Sequence, residues 1–214
     1  MEKIAIIGAG GFGREVRVLI EQINNIEKKY EIIGFFDDAF EKGEKINDLP
    51  VLGDVSSLNS INYNLNVVLG VAEPMIKKKI INKIKNDFIL FPTLKHPSAI
   101  VPEVDVVIGQ GSIICAGCII TCNIKLKEFI TLNLSCTVGH DTIIEDFCSF
   151  MPTVNISGEV VIEKGVYIGT GAKVINQLKI GENTIVGAGA VVAKSLPANC
   201  TAVGIPAKPI KFHH

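Results

Sequence analysis

The sequence predicts a small parallel α/β domain followed by a parallel β-helix. Two observations carry this reading. Over residues 1–90, short apolar runs alternate with amphipathic stretches. From Ile108 to Val192, every sixth residue is large and apolar, fifteen times without a slip.

In the first segment Ile4–Ile7 reads as a buried strand, and Gly8 to Gly13 as a glycine-rich turn. Arg14 to Ile23 follows with helical spacing, its apolar residues Val16, Leu19, Ile20 and Ile23 on one face. Glu31 to Phe36 is a second strand, closed by Asp37 and Asp38, and Asn66 to Gly70 a third. Pro74 to Ile84 reads as a helix with proline in its first turn, and Phe88 to Leu90 as a last short strand. This alternation predicts parallel strands with helices between them. The segment is too short for the two βαβαβ halves of a dinucleotide fold, so it reads as a half-Rossmann-like domain.

Residues 91–99 hold two prolines and read as a junction. The six-residue register begins after them. On a chain that is 48% hydrophobic, fifteen consecutive apolar anchors arise by chance on the order of once in 10⁵ per starting phase. The fourth residue after each anchor is mostly small or β-branched, as at Ser112, Cys118, Val154 and Ala172, and reads as a second inward position. Glycine often follows the anchor directly, as at Gly109, Gly139, Gly169, Gly181 and Gly187. A hexapeptide period of this kind marks a parallel β-helix. Three hexads form one coil, so residue n stacks on n+18. After Val192 the chain turns Pro-rich and loses the period, as expected of a solenoid cap. The expected boundaries are 1–90, 91–196 and a tail over 197–214.

Composition excludes several function classes. Charged residues make up 20% of the chain and the net charge is −1, with Lys77, Lys78 and Lys79 the densest basic run. That gives no electrostatic footprint for nucleic acid. No apolar run approaches membrane-spanning length, and the first residues do not read as a signal peptide. A cytoplasmic protein with six reduced cysteines is expected.

The chain has four histidines: two in the tail, His96 before a proline, and only His140 inside the repeat. Two after the anchor Val138, His140 points outward. From position alone it reads equally as a surface histidine or as a base. Gly158 stacks one coil beyond it and Cys122 one coil before. A thiol near a histidine suggests a covalent acyl-enzyme, and a ladder-filling small residue is the competing reading. Cys115 and Cys118 have metal-like spacing, but only Cys118 is inward, so the thiols diverge and no metal is expected. In the first domain Gly8, Gly10 and Gly13 follow a strand and open a helix, with Asp37 where an acidic residue would meet a ribose; a dinucleotide site and a tight strand–helix packing are both consistent with that.

The hexapeptide run, the closing Val203-Gly204-Ile205-Pro206-Ala207-Lys208-Pro209, and the opening Gly8-Ala9-Gly10-Gly11-Phe12-Gly13 with Phe36-Asp37-Asp38 together resemble one family. It is the bacterial sugar O- and N-acyltransferases of the sialic acid O-acetyltransferase (NeuD-like) and PglD-like type. The resemblance implies a left-handed β-helix and a homotrimer with acetyl-CoA bound between neighbouring helices. It implies acetyl transfer to the amine of a nucleotide-activated 4-amino sugar in surface-glycan biosynthesis. O-acetylation of sialic acid or another surface sugar is the alternative; a non-catalytic β-helix scaffold is the reading of a different class. The resemblance makes His140 the general base with Asp141 as its partner, and gives the Gly158 amide the oxyanion. It places acetyl-CoA along Gly158, Gly169, Gly171, Gly187 and Ala188, with Lys208 near its phosphates. It places the acceptor on Gly8, Gly10, Gly11, Phe12, Gly13, Asp37 and Asp38. Phe12 stands where many relatives have histidine in the loop, and Ser149 where many carry a second histidine nine residues after the first.

Overall fold

The computed structural model describes residues 1–213. The chain divides into two compact units, Met1–Pro92 and a second from Thr93 onward.

The first unit is a six-stranded sheet of order β3-β4-β2-β1-β5-β6 with helices α1 and α2. Its strands are β1 (Glu2–Ile7), β2 (Tyr30–Phe36), β3 (Lys45–Ile46), β4 (Leu49–Gly53), β5 (Leu65–Leu69) and β6 (Ile89–Leu90). The helices are α1 (Gly11–Ile26) and α2 (Pro74–Lys83). All neighbours pair parallel except β3 with β4. Ile4, Ala5 and Ile6 of the central β1 are fully buried, as a two-sided parallel strand requires. Helix α1 starts at Gly11, so half of the expected glycine turn is its first turn. The β3–β4 hairpin was not expected. Its signal is Asn47-Asp48, both in the left-handed region (φ 46° and 67°), the backbone that a two-residue hairpin turn demands.

The second unit is a left-handed parallel β-helix with two five-stranded faces and one eight-stranded face. Pairing steps by 18 residues along each face: Ile119–Thr137, Thr137–Asn155 and Asn155–Lys173 on the first five-stranded face, for example. The anchors from Ile114 to Val192 are buried, and the first, Ile108, packs partly buried against their cluster. The corners use a second six-residue pattern. Every sixth residue from Asp105 to Gly189 has a left-handed φ. Glycine, Asn or Asp occupies nine of these fifteen corners (Asp105, Gly111, Gly117, Asn123, Asp141, Gly165, Gly171, Asn183 and Gly189), the residues that tolerate this backbone best. The glycines that directly follow anchors serve another purpose. A Cβ on Gly109 would lie 2.6 Å from the Lys127 carbonyl, and one on Gly169 would lie 2.6 Å from the Ala188 nitrogen. They let adjacent coils close up.

The solenoid is longer than the six-residue count. Leu94–Lys95 pairs with Ile113–Ile114 at an offset of 19, so the expected junction is already a coil. At the other end Ile185 pairs with Thr201 and Val186 with Ala202, an offset of 16. Cys200–Gly204 then turns back against Ala207–Phe212 as an antiparallel hairpin. Leu196, Cys200, Ala202 and Ala207 join the solenoid core. One added or two missing residues per coil erase the period from the sequence without ending the stack.

Candidate functional site

His140 lies on the edge between the two five-stranded faces, in the turn from Thr137–Val138 to Ile143–Ile144. The main chain fixes this corner from both sides. Asp141 N–H donates to the Cys122 carbonyl (3.1 Å) and Glu159 N–H to the His140 carbonyl (2.8 Å). Asp141 takes a left-handed φ of 58°, which turns its carboxylate back to the neighbouring ring. His140 Nδ1 and Asp141 Oδ2 are 2.7 Å apart. The Asn123 amide donates to the other oxygen, Oδ1, at 3.0 Å. The His140 ring first, and the Asn123 amide second, hold the Asp141 carboxyl below its ordinary value. An ionised carboxylate only accepts, so Nδ1 carries the hydrogen and Nε2 is left as the basic nitrogen. Nε2 has no protein partner among the described residues.

The ring reaches toward the following coil. A side chain on Gly158 would overlap imidazole Nε2 and Cε1, so glycine is what makes room for the ring. The Gly158 N–H donates to no protein acceptor among the described residues. The corner amides of His140 and Asn176 share that property, so the neighbouring imidazole is what distinguishes Gly158. Cys122 belongs to the preceding coil, where its carbonyl accepts the Asp141 N–H.

The remaining coenzyme candidates fall on a different edge. Gly169 and Gly171, and Gly187 and Ala188, turn the chain from the eight-stranded face to the first five-stranded face. Gly169 packs on Ala188 and Gly187 on Val203, whose strand partner is Lys208. These residues are contiguous, but they do not share an edge with His140. Ser149 opens the two-residue strand Ser149–Phe150 of the eight-stranded face, fully buried, its Oγ without a partner among the described residues. Of the two closely spaced cysteines, Cys118 belongs to the solenoid core and donates to Asn133 O (3.1 Å); Cys115 is buried outside that cluster. Among the described residues no group of three His, Cys, Asp or Glu could hold a metal ion.

In the first unit the strand order reverses at β1, flanked by β2 and β5, and such a switch point opens a crevice at the strand ends. A cavity of about 280 Å³ lies there, lined by Gly8, Phe36, Asp37, Asp38, Lys79 and Lys83 among others. The loop glycines divide in two. A Cβ on Gly13 would overlap the Gly8 carbonyl, and one on Gly70 would come within 2.6 Å of Gly13 Cα, so these glycines serve strand–helix packing. At Gly10 and Gly11 a Cβ would meet nothing within 4 Å, and neither has a left-handed φ. The fold does not require glycine there. Helix α1 begins at this point with no side-chain cap. Phe12, half-buried, lies in its first turn. Asp37 braces the loop: Oδ2 accepts Ala9 N–H (2.7 Å) and Oδ1 accepts Ala39 N–H (2.9 Å). Asp38 accepts Val55 N–H (2.8 Å) and pairs with Lys83 (3.2 Å).

Comparison with known proteins meets this geometry. Residues 3–84 match the PglD N-terminal domain, and residues 159–194 the bacterial transferase hexapeptide (six repeats). A GDP-perosamine N-acetyltransferase of Escherichia coli O157:H7 is 34% identical over 218 aligned residues, 99% of this chain and 97% of the other. The chain belongs to the PglD-like family of hexapeptide-repeat acyltransferases. Among solved structures, the acetyltransferase domain of PglB from Neisseria gonorrhoeae, in complex with acetyl coenzyme A, superposes with a TM-score of 0.89. It is 32% identical, covering 98% of this chain and 99% of that one. A histidine-to-asparagine variant of perosamine N-acetyltransferase from Caulobacter crescentus, in complex with CoA and GDP-perosamine, gives 0.87 at 26% identity, covering 99% and 98%. A PglD-like acyltransferase is thus an enzyme, and the scaffold reading falls away. No described helix is long and apolar enough to cross a membrane.

Proposed function

We propose that this enzyme transfers the acetyl group of acetyl-CoA to the amine of a nucleotide-activated 4-amino sugar for surface-glycan biosynthesis. The observation that carries the reading is the His140 imidazole, its Nδ1 held by an ionised Asp141 and its Nε2 unpartnered above Gly158. The acceptor amine attacks the thioester carbonyl and a C–N bond forms. His140 Nε2 takes the amine proton. The unpartnered Gly158 N–H stabilises the tetrahedral oxyanion. Collapse breaks the C–S bond, and the imidazolium returns the proton to the departing CoA thiolate. Transfer is direct: among the described residues Cys122 Sγ makes no hydrogen bond to the ring.

The open glycines at 10 and 11, before the uncapped α1, support binding of the acceptor's phosphates by backbone amides. Phe36 and Val55 offer apolar walls to a nucleoside at Asp37 and Asp38. Coenzyme A runs along Gly169, Gly171, Gly187 and Ala188, with Lys208 at its phosphates. Because that edge differs from the His140 edge, one chain supplies the base and a neighbour supplies the coenzyme contacts, as in a homotrimer in the cytoplasm. Relatives named for GDP-perosamine make that sugar nucleotide the first acceptor to test.

The experiment is a thiol-release assay with acetyl-CoA and GDP-perosamine, UDP-linked 4-amino sugars or sialic acid. Wild type should turn over one amino-sugar nucleotide, and His140→Ala should lose ~10²–10⁴ of that rate. Turnover that survives the substitution removes His140 as base. Turnover with sialic acid alone replaces N- by O-acetylation.

A further inference from the structure

The sequence directs attention to His140 and Asp141, but the carboxylate between His140 and the preceding coil has two partners. Asn123 stacks on Asp141 at the 18-residue step. Both residues take the same left-handed backbone, φ 56° and 58°. Like backbone at like corners brings their side chains into register, at the ~4.8 Å spacing of paired strands. The Asn123 Nδ2–H then meets Asp141 Oδ1 at 3.0 Å, and Oδ2 meets His140 Nδ1 at 2.7 Å. Asp141 is about half exposed; without the amide its carboxylate is free to rotate into solvent. We propose that Asn123 is a positioning residue of the acetyl-transfer site, which locks the Asp141 carboxylate and through it the tautomer and orientation of the His140 imidazole. This rests on the reading of His140 as the base.

Asparagine suits the place on three counts. It tolerates the left-handed corner. Its amide donates without titrating. It adds no negative charge to a groove that already holds Asp105 and Asp141, with Lys125 as the one cation among its lining residues. The other titratable groups at this corner are Cys122 in the preceding coil and Glu159 in the following one. Gln177 and Glu159 form a comparable amide–carboxylate pair (3.2 Å) one coil further along the same edge, and among the described residues neither side chain hydrogen-bonds the imidazole. It supplies the control.

The test reads the imidazole directly and needs no acceptor. In ¹⁵N-histidine-labelled full-length protein, His140→Ala assigns the His140 signals. The wild type should show the Nδ1–H tautomer. Asn123→Gly deletes the amide and leaves the corner unstrained. It should shift His140 toward a mixture of tautomers, as the carboxylate swings away. In an Asp141→Asn background, Asn123→Gly should add nothing, since the effect runs through the carboxylate. Gln177→Gly should leave the imidazole unchanged. The proposal is overturned if Asn123→Gly leaves the tautomer ratio at its wild-type value, if its effect persists without the Asp141 carboxylate, or if Gln177→Gly matches it. Failure of His140 as base would appear elsewhere, as turnover retained by His140→Ala.

Discussion

At the scale of the residue, the candidate site is a set of side chains whose places are dictated by what cannot be there. Gly158 has no Cβ because the imidazole occupies that space. Gly158→Ala keeps the backbone N–H but pushes the ring off its seat. Misplacing a reacting group by about 1 Å costs on the order of 10²-fold, so turnover should fall by about that much while the thermal unfolding midpoint moves little. Single-turnover kinetics beside differential scanning calorimetry would check both. Asp141 gives a pH prediction with a definite sign. Its folded-state pKa is depressed, so its contribution to stability is present above the ordinary carboxylate range and is lost as pH falls through the folded value. Urea denaturation from pH 6 down to pH 3 should therefore show a smaller acid loss for Asp141→Asn than for wild type. His140 and Gly158 were legible because one histidine lies in the repeat and the 18-residue step finds its neighbour. Asn123 escapes that step, because it stacks on Asp141 and not on His140.

At the scale of the element, the sequence shows two hexapeptide codes, of which the apolar one is easily seen. Anchors are written in large apolar residues and repeat without exception. The left-handed corners are blurred, because Phe129 and Phe147 occupy two of them and recover part of the cost by stacking on each other, ring centroids 5.2 Å apart. Glycine serves either code. At Gly109 a Cβ would strike the backbone of the next coil; at Gly189 it would meet nothing within 4 Å, but φ is 67°. Gly109→Ala should therefore cost about 1–3 kcal/mol through overpacking. Gly189→Ala should cost only about 1 kcal/mol, from the left-handed backbone alone. Guanidinium unfolding of the two variants should rank them in that order. The first and last coils were not legible for a different reason. Offsets of 19 and 16 keep the stack intact while shifting every later residue out of phase. In the first unit, Lys45–Ile46 is too short to show a period, and only the Asn47-Asp48 turn announces its hairpin.

At the scale of the whole molecule, the two edges of the solenoid decide how a site can be assembled. His140 and Gly158 turn the chain between the five-stranded faces, whereas Gly171 and Ala188 turn it out of the eight-stranded face. A face of the solenoid separates the two edges of one chain, so the base of one subunit should work against the coenzyme edge of the next. Consider His140→Ala, which lacks the proposed base, and Ala188→Asp, which sets a carboxylate on the exposed edge proposed to hold CoA. Each alone should be nearly inactive. Co-expressed in equal amounts, they should form mixed trimers. A site is whole where an intact His140 from one chain meets an intact Ala188 from its neighbour. In closed cyclic trimers of random composition that happens at about one site in four, so the mixture should recover roughly a quarter of wild-type turnover. Recovery requires mixed assembly, which differently tagged chains and sequential affinity purification would isolate. If isolated mixed trimers stay inactive while each variant alone is inactive, the base and the coenzyme contacts of a site come from one chain. Recovery at the expected fraction would instead make the trimer part of the catalytic machinery, since a separated chain would hold a base on one edge and coenzyme contacts on another.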